Sequence, residues 1–165
     1  AAFAERWNAL QAWRGQTALM WAAAEGHAAA AKLLLETGAD VSLRSKGGLS
    51  ALLFAVRDGQ IDAARTLVDG HANVNDAAPD GTSALGMAVI NAHYELAAFL
   101  LEKGADPNVA DGKGRAALYA VVDQRNYMVT DIPQPKSDGM DTLVLIKALL
   151  DRGADGLARP DLGRL

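Results

Sequence analysis

Glycine returns every 33 residues, at Gly15, Gly48, Gly81 and Gly114, and each time it opens a nearly identical stretch. A fixed period of that length specifies one supersecondary unit stacked on copies of itself, because a single unit cannot bury its apolar face alone. The surface such a chain offers is an elongated face and not an enclosed pocket. Binding therefore comes before chemistry among the functions to weigh.

In register the copies read GQTALMWAAAEGHAAAAKLLLETGADVS from Gly15, GLSALLFAVRDGQIDAARTLVDGHANVN from Gly48 and GTSALGMAVINAHYELAAFLLEKGADPN from Gly81. A fourth begins GRAALYAVVDQRN at Gly114 and closes with LIKALLDRGAD at Asp155. Thr17, Ser50 and Ser83 precede the apolar residues of the first three copies, where a hydroxyl caps a helix by accepting a bond from a first-turn N–H. The predicted first helix carries Leu19, Ala22 and Ala23, recurring as Leu52, Ala55 and Val56, then Leu85, Ala88 and Val89, then Leu118, Val121 and Val122. Small side chains let such helices approach closely.

A second helix is predicted after Gly26, Gly59 or Ala92, carrying Leu33, Leu34 and Leu35, then Leu67 and Val68, then Phe99, Leu100 and Leu101. It stops at Gly38, Gly104 and Gly153, as a terminating residue with positive φ requires. His71 stands where the sister copies have these glycines, and a left-handed histidine is strained. The polar links, such as 39–46 and 105–113, are predicted to project as β-turn fingers.

These blocks resemble the ankyrin repeat, whose pattern runs G-x-T-P-L-H-x-A-A-x-x-G-H, then an apolar helix, then L-L-x-x-G-A-D-x-N. The wording of the fourth copy is most similar to ankyrin proteins of bacteria, several of which are exported. The resemblance implies an all-α solenoid of stacked helix-turn-helix units with β-turn fingers. The expected division is a cover or partial repeat at 1–14, four repeats at 15–47, 48–80, 81–113 and 114–155, and a tail at 156–165.

The resemblance also implies a non-enzymatic module that binds a protein partner on the finger tips and the exposed side of the first helices. Carried over by position, that face comprises Trp13, Arg14 and Gln16; Lys46 and Leu49; Pro79, Asp80 and Thr82; and Lys113 and Arg115. The helix-one residues Arg57, Asp58, Ile90, Asn91, Asp123 and Gln124 extend it. The alternatives are a small-molecule or peptide site at the front aromatics Trp13 and Trp21, and a structural spacer within a larger chain.

The chain departs from the family pattern at T-P-L-H, which reads TALM, SALL, SALG and AALY. Met20, Leu53, Gly86 and Tyr119 are not expected to supply the bonds that tie neighbouring fingers. Gly86 costs on the order of 1 kcal/mol relative to alanine inside a helix, so the third repeat is the expected weak point.

The 165 residues, 50% of them hydrophobic, suffice for one continuous core, and nothing suggests a second domain. Cysteine is absent, which removes disulfides and thiolate metal sites. No apolar run reaches membrane length, so no membrane insertion is expected. A net charge of −4 with both signs interspersed disfavours nucleic acid, which calls for clustered basic surface. The opening AAFAERW, with neither methionine nor a basic leader, suggests a trimmed or mature form.

Residues capable of chemistry are scattered. His27 and His93 are two periods apart, roughly 20 Å if each repeat advances about a helix diameter, too far to share a metal. Asp40, Asp106 and Asp155 are expected to bond local backbone, and Asp76, Asp80 and Asp111 to lie in solvated fingers. Asp111-Gly-Lys-Gly does not match a phosphate loop. No catalytic residue and no cofactor are expected. The column Trp21, Phe54, Met87 and Ala120 reads as packing between repeats, with Trp21 beside Trp13 as the aromatic alternative.

Two irregularities remain. Leu19 to Gly38, Leu52 to His71 and Leu85 to Gly104 are each 19 residues apart, whereas Leu118 to Gly153 is 35. The fourth copy therefore carries a 16-residue insertion near 126–140, and Pro133 and Pro135 exclude a continuous helix there. It is either a lateral loop reaching a partner through Tyr127, Met128 and Ile132, or a loop folded over the end of the stack.

Both ends are unconventional. Phe3, Trp7, Leu10 and Trp13 suggest a short helix or irregular cover, and GLARPDLGRL brings no helix pair to cover Leu143 or Leu149. Such ends are expected of a fragment of a longer array, or of a chain that self-associates through uncapped faces.

Overall fold

The computed structural model describes residues 16–127 and 139–155, with side chains omitted at 124–127. The front segment with Phe3, Trp7, Leu10 and Trp13, the insertion residues Met128 and Ile132, and the tail at 156–165 lie outside the described residues. Within them, eight helices follow one another in pairs. The pairs are α1 (Ala18–Ala24) with α2 (Ala28–Glu36), α3 (Ala51–Arg57) with α4 (Ile61–Asp69), α5 (Ala84–Ile90) with α6 (Tyr94–Glu102), and α7 (Ala117–Tyr127) with α8 (Thr142–Asp151).

The first helices start where the hydroxyls stand. Thr17 accepts from the Met20 N–H at 3.2 Å, Ser50 from Leu53 at 3.3 Å and Ser83 from Gly86 at 3.1 Å. Met20 returns a bond, its thioether accepting from the Thr17 N–H at 3.4 Å and completing a capping box. In the fourth copy Ala116 holds this place, its carbonyl accepting from Ala120 at 3.0 Å, and a methyl group offers no acceptor to the first turn.

Each first helix but the last ends in a tight reversal. Gly26 (φ 74°), Gly59 (72°) and Ala92 (60°) turn the chain, and the next N–H reaches back, as from His27 to the Ala22 carbonyl at 2.8 Å. Second helices end the same way at Gly38, His71, Gly104 and Gly153, and His71 does adopt the left-handed region, at φ 69°.

First helices stack on first helices, α1 on α3 on α5 on α7, while α2 packs on α4 and α6 on α8. Ala23, Ala55, Ala88 and Val121 are fully buried between them, with Leu19, Leu52, Leu85 and Leu100 filling the same continuous core. The α4 and α6 helices meet through Arg65, whose guanidinium lies 4.6 Å from the Phe99 ring centre.

Two expectations are corrected. Asp76 and Asp111 are not solvated: their side chains are buried against Arg44 and Arg115. Leu149 is fully buried with Leu145, because α8 turns that stripe onto α7 and α6, whereas Leu143 stays exposed.

Candidate recognition surface

Each link from a second helix to the next first helix folds into a finger. Arg44 pairs with Ser50 and Ala77 with Ser83 as antiparallel bridges. The tips close with Gly48 N–H to the Ser45 carbonyl at 2.9 Å, Gly81 to Ala78 at 2.9 Å and Gly114 to Asp111 at 2.8 Å. Short side-chain turns stiffen the approaches: the Asp40 carboxylate accepts from Ser42, Asp80 from Thr82, Asp106 from Asn108 and Asp111 from Lys113.

Neighbouring fingers are bonded to one another even though the family's histidine is missing. Arg44 donates to its own finger at the Gly48 carbonyl (2.7 Å), to the next at the Ala77 carbonyl (3.0 Å), and pairs with the buried Asp76 carboxylate. The Gly112 N–H donates to the Asp80 carbonyl at 2.8 Å, joining the second and third tips. Lower down, Asn75 accepts from Asp106 at 2.8 Å and Asn108 accepts from Asp155 at 2.7 Å. Asp76 is buried but Arg44 is half exposed, so the pair is weak evidence for stability; it does bond two units together.

The face inferred from position can now be located. Lys46 stands exposed at the first tip, Pro79 and Asp80 at the second and Lys113 at the third. Gln16 and Leu49 are half-buried, and Leu49 receives the Ser45 hydroxyl oxygen on its N–H at 3.2 Å. Thr82 is buried, so it adds backbone and not side chain to the row. Arg115 holds Asp111 at 2.7 Å and is thereby occupied.

At the ends of the first helices, Arg57 grips Asp58 through two bonds of 2.8 Å, and the pair cancels its own charge. Ile90, Asn91 and Asp123 are half-buried at the corresponding places. Trp13 and Arg14 lie outside the described residues, and Gln124 is described only as part of α7. Of the periodic column, Phe54 and Ala120 are buried and Trp21 and Met87 half-buried, which is the burial of packing residues.

Local hydrogen bonds set the electrostatics of the tips. The Thr82 N–H, followed by its side chain, holds the Asp80 carboxyl below the ordinary carboxylate range. Burial pushes the Asp111 carboxyl up, but the Arg115 N–H and guanidinium and the Lys113 N–H outweigh it and keep the group lowered. Among the described residues, Lys46, Asp80 and Lys113 enter no ion pair, and the tips read positive, negative, positive. His93 brings its ring nitrogen 3.3 Å from the Arg57 carbonyl, a structural contact between repeats.

A row of helix pairs carrying mutually bonded fingers defines a repeat solenoid. The family model for ankyrin repeats, in three copies, matches residues 37–111, and the single ankyrin repeat model matches 14–46. This chain belongs to the ankyrin repeat family. No curated relative matches it. Ankyrin repeats are protein–protein interaction modules and typically non-enzymatic. Among the described residues, no helix is long and apolar enough to cross a membrane.

Proposed function

We propose that the finger row, with the adjoining ends of the first helices, docks a folded protein partner. One observation carries the reading: three tips are bonded into a single strip by Arg44 and the Gly112–Asp80 contact, yet Lys46, Asp80 and Lys113 on that strip keep their charges for a partner. A pre-organised strip loses little freedom on binding, which is where affinity is most often forfeited. The tips' alternating charge selects a partner with the complementary order, acidic opposite Lys46 and Lys113 and basic opposite Asp80.

The test is affinity capture with the 165-residue chain as bait, followed by charge reversal in the recovered complex. Reversal at Arg14, Lys46 and Lys113 should weaken capture while each variant stays within about 0.5 kcal/mol of the parent in stability. Reversal of Lys32, on the exposed side of α2, serves as control; Arg65 cannot, because it covers Phe99. Equal losses from both sets would mean general electrostatics with no defined face, and no loss from the finger row would remove the assignment.

A further inference from the structure

The first helix pair leaves exposed the positions that later repeats bury. On α2, Ala30 and Leu33 are exposed, Leu33 at 62%, and Leu34 is half-buried. One period on, Ala63 and Leu67 hold the places of Ala30 and Leu34 and are fully buried on α4, which packs against α2. Two periods on, Leu96, Phe99 and Leu100 are buried as well. The first finger repeats the contrast. Leu43 is 47% exposed, whereas its counterpart Asp76 lies buried beneath Arg44 of the preceding finger. Ala30, Leu33, Leu34 and Leu43 therefore stand in the register of an internal repeat–repeat face.

The residues ahead of α1 do not continue the repeat. One period before Gly38, Ala39 and Asp40 stand Glu5, Arg6 and Trp7, so the helix-ending glycine and the finger that follows it are missing from that place. Phe3, Trp7 and Leu10 stand there instead, spaced i, i+4 and i+7 on one side of a helical pattern with Glu5 and Asn8 opposite. We propose that this segment lies as a helix on the front face, its stripe over Leu33 and Leu34, and closes the stack in place of a repeat. Reach and tethering select it. Residues 1–12 span about 18 Å as a helix, against about 14 Å for the nine residues of α2. Residues 13–15 join them to the start of α1, and α2 runs back from the Gly26 turn to end beside that start. A segment tethered so closely meets the face at an effective concentration of about millimolar, ahead of a second copy or a partner offering the same side chains in dilute solution. The stripe includes none of the residues assigned to docking, so it stands apart from that reading.

The experiment uses the full chain with Trp7 as its reporter. The sequence has three tryptophans, and Trp13→Phe with Trp21→Phe leaves Trp7 as the single indole. Its emission should be blue-shifted and shielded from iodide relative to a free peptide of residues 1–14, at every protein concentration. Leu33→Glu should move both signals to those of the peptide, while Lys32→Glu, on the exposed side of α2, should move neither. Amide hydrogen exchange on the chain with all its tryptophans gives a measurement independent of those replacements. Residues 3–10 should be protected, and Leu33→Glu should abolish that protection while α4 and α6 keep theirs. Unprotected residues 3–10 in the unmodified chain would overturn the proposal. So would shielding that survives Leu33→Glu, which would seat the segment elsewhere, or shielding that appears only as concentration rises, which would assign the face to a second copy.

Discussion

Replacing His71 by glycine is expected to stabilise the protein. His71 sits at φ 69° and makes the same closing bonds as its glycine counterparts, the Ala72 N–H to the Leu67 carbonyl at 2.9 Å and its own N–H to Val68 at 3.0 Å. A β-carbon in that region costs about 1–2 kcal/mol. At Gly38, Gly104 and Gly153 an added β-carbon would meet nothing within 4 Å, so this place offers no packing to offset the cost. The imidazole is exposed and borders a shallow cleft beside Asn73 and Asp76.

Glycine relieves the backbone but widens the unfolded ensemble, which returns about 0.5–1 kcal/mol. The net gain is about 0.5–1 kcal/mol, or about 1–4 °C in melting temperature for a chain of this size. Urea unfolding followed by far-ultraviolet circular dichroism measures it, with an unchanged m-value as the check that only stability moved. Ala92→Gly is the paired control. It relieves a similar φ of 60°, but the Ala92 methyl is buried, and losing it costs about 0.8 kcal/mol, so that variant should be near neutral. An unchanged or lowered midpoint for His71→Gly, or an equal gain for Ala92→Gly, would refute the reasoning.

Three further outcomes are expected. Ala116→Ser should give α7 the side-chain cap its sisters have and raise stability by about 1 kcal/mol in the same unfolding assay. Gly86→Ala should gain about 0.5–1 kcal/mol; its β-carbon would lie 3.3 Å from the Ser83 hydroxyl, close enough that the hydroxyl must give slightly, and Leu53 shows that a side chain at this place is compatible with the cap bond from Ser50. Asp111→Asn should lower the melting temperature near neutral pH. Because the folded state holds that carboxyl below its ordinary value, its contribution is present above about pH 4 and fades as pH falls, so parent and variant should converge in acid.

Column-by-column reading found what the copies share: the hydroxyl caps of the first three, the paired helices, the fingers and the left-handed place of His71. It missed what one copy does alone. Arg44 bridges to Asp76, yet one and two periods after Arg44 stand Ala77 and Ala110, and one period either side of Asp76 stand Leu43 and Val109. A staple with no counterpart leaves no periodic trace, so Asp76 read as a solvated finger residue. The Met20 thioether cap escaped for the same reason. At the proposed binding face, position alone could not show that Arg57 and Asp58 neutralise each other, or that Thr82 is buried; both depend on which way adjacent side chains turn at a helix end or finger base.

Ala92 shows how the insertion reaches into the neighbouring repeat. At Gly26 and Gly59 glycine answers two demands, positive φ and close approach, since a β-carbon would collide with the Gln60 side chain at 2.2 Å or the His93 ring at 2.6 Å. Those groups begin the second helix of the following repeat. One period beyond His93 is Asn126, which lies instead within α7, a helix of eleven residues where the other first helices have seven. No second helix begins at that place, so the contact that excludes a β-carbon at 26 and 59 has no counterpart in register with 92, where positive φ still applies. Deleting residues 126–141 would restore the 19-residue spacing and put Thr142 in the place of His93. In that background Ala92→Gly should gain about 1 kcal/mol more than in the parent, a coupling that a double-mutant cycle reads directly. Additive effects would show that Ala92 owes nothing to the insertion.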